Sequence, residues 1–335
     1  MKLTQVLCSA VLLVSMFGQA NQEQQPIEQD VKPVVQPASL VSNETAEQWL
    51  FKLKRALTKL HFDAGVISTK ANKTESFKWL HGVINGEEVE SIAPLIGGGI
   101  TTIRKGKTVS FIEANKQVYS VEARSIRNFI PPVFYHDIDV LADSYQFVLV
   151  SKNQIGGRPA QLIRIESRDN TTFNYWVWVD GESGLPLRLE FVDQSGEVVE
   201  RMLMTHLSVY TEPTADMIKI SELDLPEPVL IGIASNKDTN DWLMGWLPKG
   251  FELIKSDRHH VSISREVSDY YLYSDGLVEF SVYIQRPLES FKSPIVLQDG
   301  ATSFVMINAN GFDVTVVGAI PAETAYKVAT NIKRK

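Results

Sequence analysis

Between residues 61 and 210 the apolar positions recur at every second residue, and within 158–207 the breaks between the runs are too short to hold a crossover helix. Period two puts alternate side chains on opposite faces of a strand. Parallel neighbours need a connection of a dozen or more residues, whereas antiparallel ones close through a tight turn. The runs 61–68, 75–83, 108–113, 117–122, 145–151, 160–167, 173–179, 187–192 and 198–206 are the expected strands. Leu187, Leu189 and Phe191, alternating with Arg188 and Glu190, form the clearest half-buried one. Asp169-Asn170, Asp180-Gly181 and residues 193–196 supply turn chemistry between consecutive runs. Residues 158–207 should therefore be an antiparallel meander. Residues 125–143, carrying Pro131-Pro132, interrupt the pattern and read as a loop or short helices.

Helical spacing appears on either side of this stretch. Ser42 or Asn43 offers an N-cap, and Trp49, Leu50, Leu53, Leu57 and Leu60 mark an amphipathic helix over 44–60. Residues 211–229, with Pro213, Pro226 and Pro228 among acids, have the composition of a linker. A second domain over 230–335 should follow. Ser274-Asp275-Gly276 and Ala309-Asn310-Gly311 lie between apolar runs and signal hairpins. Pro321 opens a last helix whose apolar face is Ala322, Ala325, Tyr326, Ala329 and Ile332.

The N-terminus reads as an export signal. Lys2 supplies the positive start, residues 3–17 are mostly apolar, and Gly18-Gln19-Ala20 has the small-x-small form cut by signal peptidase. The apolar stretch is short for a bilayer span. Cleavage after Ala20 would remove Cys8, the single cysteine, and leave a chain beginning at Asn21 with no disulfide and no thiol. Residues 21–42 are rich in Gln, acid and Pro, and read as a disordered lead-in. The formal charge is −7, and becomes −8 without Lys2. An acidic chain lacks the basic footprint that nucleic acid requires.

Catalytic signatures are missing. There is no G-x-S-x-G, H-E-x-x-H, phosphate loop or calcium loop, and Gly97-Gly98-Gly99 lacks the dinucleotide pattern. His259-His260 would point to opposite faces of a strand and chelate poorly, and the segment Ser256-Asp257-Arg258-His259-His260 reads as an exposed polar loop. Glu87, Glu88 and Glu90 read as a solvated strand edge. The chain is thus expected to bind rather than catalyse, with no cofactor and no metal. The aromatic run says more. Phe173, Tyr175, Val177 and Val179 occupy one face of a strand and Trp176 and Trp178 the other. A strand with one solvated face does not look like this. Either the sheet is covered on both sides or one face lines an apolar cavity. Phe173, Tyr175, Trp176 and Trp178 are the candidate residues lining a site for an apolar ligand. Trp242, Trp246 and Phe251 read as the core of the second domain.

Tyr175-Trp176-Val177-Trp178-Val179-Asp180, with Ser183-Gly184-Leu185-Pro186-Leu187-Arg188 after it, resembles the sheet signature of the RseB/MucB family of sigma-E factor regulatory proteins. Trp246-Leu247-Pro248-Lys249-Gly250-Phe251, Tyr273-Ser274-Asp275-Gly276-Leu277 and Phe280-Ser281-Val282 resemble its second-domain motifs. So do Val316-Val317-Gly318, Pro321, Thr324-Ala325 and Asn331-Ile332-Lys333. The resemblance implies an α+β chain: a half-open antiparallel β-barrel like that of the lipoprotein carrier LolA, then a smaller α+β domain. It implies a periplasmic protein that binds the periplasmic domain of a membrane-spanning anti-sigma factor, shields it from site-1 proteolysis, and lets go when an acyl-chain lipid, lipopolysaccharide or mislocalised lipoprotein binds. A homo-oligomer is compatible with it. On this reading the polar stretch 256–269 and the turn 273–277 should carry the partner surface, with Arg258, His259, Tyr273 and Asp275 as candidate contacts. A lipid or lipoprotein carrier built on the same barrel is the alternative, and a lipid-processing enzyme a third.

Overall fold

A computed structural model describes residues 44–71, 73–123, 125–126, 130–135, 138–228, 241–260, 267–287 and 293–335. The signal, the lead-in and the two expected caps Ser42 and Asn43 lie outside these residues. Residues 44–335 form one compact unit. Helix α1 (Ala46–Lys59) starts at Thr45, which exchanges hydrogen bonds with Gln48 in a capping box. Its buried face is Trp49, Leu50, Leu53, Ala56 and Leu57.

Eleven strands follow, hydrogen-bonded in one sheet: β1 (His61–Lys70), β2 (Lys73–Ile84), β3 (Glu87–Pro94), β4 (Thr101–Lys105), β5 (Thr108–Ile112), β6 (Tyr119–Glu122), β7 (Tyr145–Ile155), β8 (Arg158–Ser167), β9 (Asn174–Asp180), β10 (Pro186–Val192) and β11 (Val198–Tyr210). Their spatial order is β6-β5-β4-β3-β2-β1-β11-β10-β9-β8-β7. Every neighbouring pair whose register is given is antiparallel. The two ends, β6 and β7, do not pair, so the sheet is a half-open barrel. One short segment shields an edge: Pro228 makes a parallel bridge to Ser120 on β6, and a proline beside an edge strand blocks further pairing there.

Strands β3 and β4 depart from the solvated-edge expectation. The turn Asn85-Gly86 has positive φ at both residues, 52° and 85°, as a two-residue hairpin turn demands. It sends β3 back between β2 and β4, so Glu90 lies inside the sheet. The same dipeptide chemistry recurs at Asn310-Gly311.

The inner face carries Phe62, Ala64 and Val66 from β1, Phe77 and Trp79 from β2, and Tyr175, Val177, Leu189 and Phe191 from β9 and β10. It is not empty. Helix α1 and the buried residues Ile126, Ile130, Phe134, Tyr135, Ile138 and Leu141 join the same apolar cluster. Residues 132–135 and 139–141 are short 3-10 turns.

The linker expectation is corrected at 215–222, where the chain is helical. Helix α2 (Ala215–Glu222) is capped by Thr214 and buries Met217 and Ile220. It packs on the outer face of β2 to β4 against Leu80, Val89 and Ile103. Residues 229–240 lie outside the described part.

The second sheet holds β13 (Glu252–His260), β14 (Val267–Ser274), β15 (Glu279–Gln285), β16 (Ile295–Asp299), β17 (Thr302–Ala309) and β18 (Phe312–Gly318) in the order β13-β14-β15-β18-β17-β16. A two-stranded sheet pairs β12 (Trp242–Met244) with β19 (Ile332–Arg334), and α3 (Ala322–Thr330) lies between β18 and β19. Trp242 and Phe251 are buried in the core, whereas Trp246 is only partly so. The expected loop at 256–260 is strand: Arg258 pairs with Asp269 and His259 with Ser268.

Candidate ligand and partner surfaces

Strand β9 settles which aromatic face looks inward. Phe173 and Tyr175 are fully buried on the inner side, and the Tyr175 ring meets Phe191 at 4.9 Å. Trp176 and Trp178 lie on the outer side, with ring centroids 6.4 Å apart. The Arg188 guanidinium sits 4.5 Å from the Trp178 ring centre, a cation–π contact. Arg164, Trp176, Glu190 and Arg201 form one cross-strand row on that side. Glu190 is buried there, paired to both Arg188 and Arg201. Large groups occur on both faces because one packs the core and the other stacks under arginine. The Tyr175 hydroxyl finds no hydrogen-bond partner, and burial together with nearby Asp275 and Glu200 raises its pKa well above the ordinary value.

A buried charged cluster on the inner face had no counterpart in the sequence reading. Glu90 takes a hydrogen bond from Trp79 Nε1 at 2.8 Å and from Arg104 Nε at 2.9 Å. Arg104 also reaches Glu88 at 2.8 Å. Glu90 and Arg104 sit directly opposite on β3 and β4, and both are buried. His81 Nδ1 lies 2.7 Å from the Leu60 carbonyl, while its Nε2 is 3.7 Å from Glu88. The second distance is an ion-pair separation rather than a hydrogen bond. Burial raises the Glu88 carboxyl, but His81 and Arg104 outweigh it and hold the pKa at about 2. Beside the cluster opens a cavity of about 840 Å³, lined by Thr58, Glu87, Glu88, Arg104, Lys107 and Tyr135 among others. Its mixed charge does not suit an acyl chain. Among the described residues no group of three or more His, Cys, Asp or Glu could hold a metal ion.

The second sheet meets one end of the large one through specific bonds. Tyr145 at the start of β7 donates its hydroxyl to Asp275 Oδ2 at 2.6 Å. Asp275 Oδ1 accepts the backbone N–H of Leu277 at 2.9 Å and of Val278 at 2.8 Å. Burial pushes the Asp275 carboxyl up against the lowering effect of these donors. Around this bond, Thr324 donates to the Thr171 carbonyl at 2.6 Å and Lys249 N–H to Asp169 at 3.0 Å. Ser144 donates to the Lys249 carbonyl at 3.2 Å, and Ala301 N–H to Glu200 at 3.3 Å. Gly250, at φ +83°, passes so close that a Cβ would lie 2.0 Å from Ser144 Oγ.

Tyr273 and Asp275 are therefore not on a free surface. Asp275 is buried at this junction and Tyr273 is buried against Phe280 within the second sheet, which corrects their placement on the surface. The turn 274–278 is held by its own backbone bonds and by Tyr145, and so serves the chain itself. Arg258 and His259 belong to β13, an edge strand of the second sheet; their side chains lie outside the described residues.

Comparison with known proteins gives a consistent result. Residues 45–228 match the model of the MucB/RseB N-terminal domain and residues 236–333 that of the MucB/RseB C-terminal domain. The sigma-E factor regulatory protein RseB of Escherichia coli K12 is 27% identical over 85% of this chain and 89% of its own length. The sigma factor AlgU regulatory protein MucB of Pseudomonas aeruginosa is 30% identical over 60% of this chain and 65% of its own. The solved complex of P. aeruginosa MucA and MucB aligns with a TM-score of 0.70 at 25% identity, covering 87% of this chain and 99% of that one.

Proposed function

The chain belongs to the MucB/RseB family, and on that premise we propose that it is a periplasmic negative regulator of the sigma-E envelope stress response. It binds the periplasmic domain of a membrane-spanning anti-sigma factor of the RseA/MucA kind. Bound there, it shields that domain from site-1 proteolysis. The observation that carries this reading is the ordered match of both domain models, 45–228 and then 236–333. A plain lipid carrier needs only the first. The P. aeruginosa relative aligned above was solved with MucA bound, which supports the same partner class. The activity is binding, not catalysis.

Export follows from Lys2, the apolar run and Gly18-Gln19-Ala20, with cleavage after Ala20. Lipopolysaccharide or a mislocalised lipoprotein supplies the release signal. An acyl chain gains about 0.8 kcal/mol per buried methylene, and Phe173 and Tyr175 lie on the face it would reach. Helix α1 and the buried side chains of Ile126, Ile130, Phe134, Ile138 and Leu141 join the apolar cluster of that face, so entry requires groups packed there to move. Lipid releases the anti-sigma factor only if the two ligands prefer different arrangements of the two sheets. The junction around Asp275 is what such a change would break. Arg258 and His259 on β13 are proposed as partner contacts, since an edge strand is open to one. The test is a protection assay. The anti-sigma periplasmic domain is digested by its site-1 protease with and without the exported chain, then with a lipopeptide added. Protection that the lipopeptide relieves is the expected result; unchanged cleavage in all three would overturn the proposal.

A further inference from the structure

The hairpin between β3 and β4 ends in Leu95-Ile96-Gly97-Gly98-Gly99-Ile100. Its aliphatic side chains stand in solvent: Leu95 is 58% exposed, Ile96 83% and Ile100 44%. Ile96 is the most exposed large apolar residue among those described. No charged residue occurs from 91 to 103, and the flanking charges Glu90 and Arg104 are buried with each other.

The tip has a built shape. Leu95 N–H donates to the Ser76 carbonyl at 2.8 Å, anchoring its base. Gly97 has φ +78°, and a Cβ at Gly97 or Gly98 would meet nothing within 4 Å. Gly99 folds onto Pro94 so closely that a Cβ would lie 2.6 Å from the Pro94 ring. The positive φ of Gly97 and the close approach of Gly99 to Pro94 both favour glycine in this return, which leaves the aliphatic groups at the end of the hairpin. The antiparallel register brings the β5–β6 turn to the same end of the sheet. There Tyr119, half exposed, stacks on Phe111 with ring centres 5.0 Å apart. Lys116, in the same turn, is ion-paired with Glu113 at 2.8 Å.

From this we infer that the 95–100 tip is a membrane-contact element that seats in the headgroup–acyl boundary of a bilayer. Protein interfaces draw their energy from Trp, Tyr and Arg framed by hydrogen-bonding groups. The tip has none of these; it offers only aliphatic carbon and glycine. Aliphatic side chains exposed at the same end of the sheet as a half-exposed Tyr, with no charge between 91 and 103, suit the boundary where acyl chains meet headgroups. With three aliphatic side chains the contact is weak and reversible, in the manner of a single lipid anchor. The inference rests on the exported location proposed above but not on the anti-sigma partner.

The experiment uses the exported chain beginning at Asn21 and two sets of vesicles. One set is phosphatidylethanolamine with phosphatidylglycerol at about 3:1, the other phosphatidylcholine alone, and binding is read by co-sedimentation at low and high salt. The expected result is binding to both, changed only a few-fold by salt, and weakened by at least about tenfold in Ile96→Asp. In a second arm Ile96→Cys is labelled with an environment-sensitive fluorophore, which is site-specific because Cys8 leaves with the signal. The label at 96 should brighten on adding vesicles while one at Lys152→Cys should not. Failure of the native chain to bind overturns the inference, as does full binding by Ile96→Asp. Binding confined to anionic vesicles and abolished by salt would also overturn it, since it would be electrostatic. If Ile96→Asp loses the anti-sigma domain and keeps the vesicles, the tip is a protein contact and the inference fails while the regulatory reading stands.

Discussion

Removing the Asp275 carboxylate should unpick the junction between the two sheets. Asp275→Ala would strand three buried donors: the Leu277 and Val278 N–H groups, at 2.9 and 2.8 Å, and the Tyr145 hydroxyl at 2.6 Å. At about 1–3 kcal/mol per stranded donor, the loss is roughly 3–9 kcal/mol. That is a large part of the ~5–15 kcal/mol that holds a native chain together. Tyr145→Phe takes away one donor and leaves the other two in place, so it should cost about 1.5–3 kcal/mol, the range for a bond to a charged group. In combination the two changes should be less than additive by about 1–3 kcal/mol, because they remove the same bond. Urea unfolding followed by tryptophan fluorescence measures all three variants. An Asp275→Ala variant within about 0.5 kcal/mol of the native chain would refute the reasoning, and so would strict additivity. Because the release model needs the two sheets to rearrange, Asp275→Ala should also bind lipopeptide more tightly and the anti-sigma domain more weakly.

Glu90→Ala should cost about 3–5 kcal/mol by leaving Arg104 buried without its direct partner, and Glu90→Gln less, since Trp79 keeps an acceptor; equal, small shifts in urea midpoint would contradict the burial argument. Glu88 is held at about 2 against an ordinary 4.5, so its contribution is full above about pH 4.5 and lost as pH falls towards 2; a pH series of melting temperatures should show Glu88→Gln removing part of that acid loss. Met217→Ala should cost about 2–5 kcal/mol because Met217 is fully buried on the outer face of the large sheet, whereas a free linker at 211–229 would give almost none.

Much of the fold was legible because it follows from period and turn chemistry. Leu187, Leu189 and Phe191 alternate with charge, and β10 lies where that alternation places it. Asn310-Gly311 joins β17 to β18. The strand β3 was hidden by its own acids. Glu87, Glu88 and Glu90 look solvated in one dimension, and the compensating Arg104 is on the next strand, set opposite only by the register. Asn85-Gly86 was the signal that could have revealed it. Helix α2 was masked by Pro213, Pro226 and Pro228, which flank an eight-residue helix without entering it. The polar residues Ser256 to His260 form a strand because strand pairing is made by backbone, and an edge strand tolerates charge. The site was less legible than the fold. The aromatic run announced that both faces of β9 were occupied, yet only the register shows that Tyr175 looks inward. Tyr273 and Asp275 were noticed as a motif, but a turn that recognises its own chain looks in sequence like one that recognises another.

The central claim is that this chain binds the periplasmic domain of a membrane-spanning anti-sigma factor and yields it to lipid. Its direct test is calorimetric titration of that domain into the exported chain, repeated at saturating lipopeptide. The account predicts saturable binding without lipid and weaker binding with it, and, by linkage, lipopeptide affinity reduced by the same factor when the anti-sigma domain is bound. No heat of binding in the first titration would contradict the regulatory reading itself, and identical affinities in the two would leave a shield with no switch.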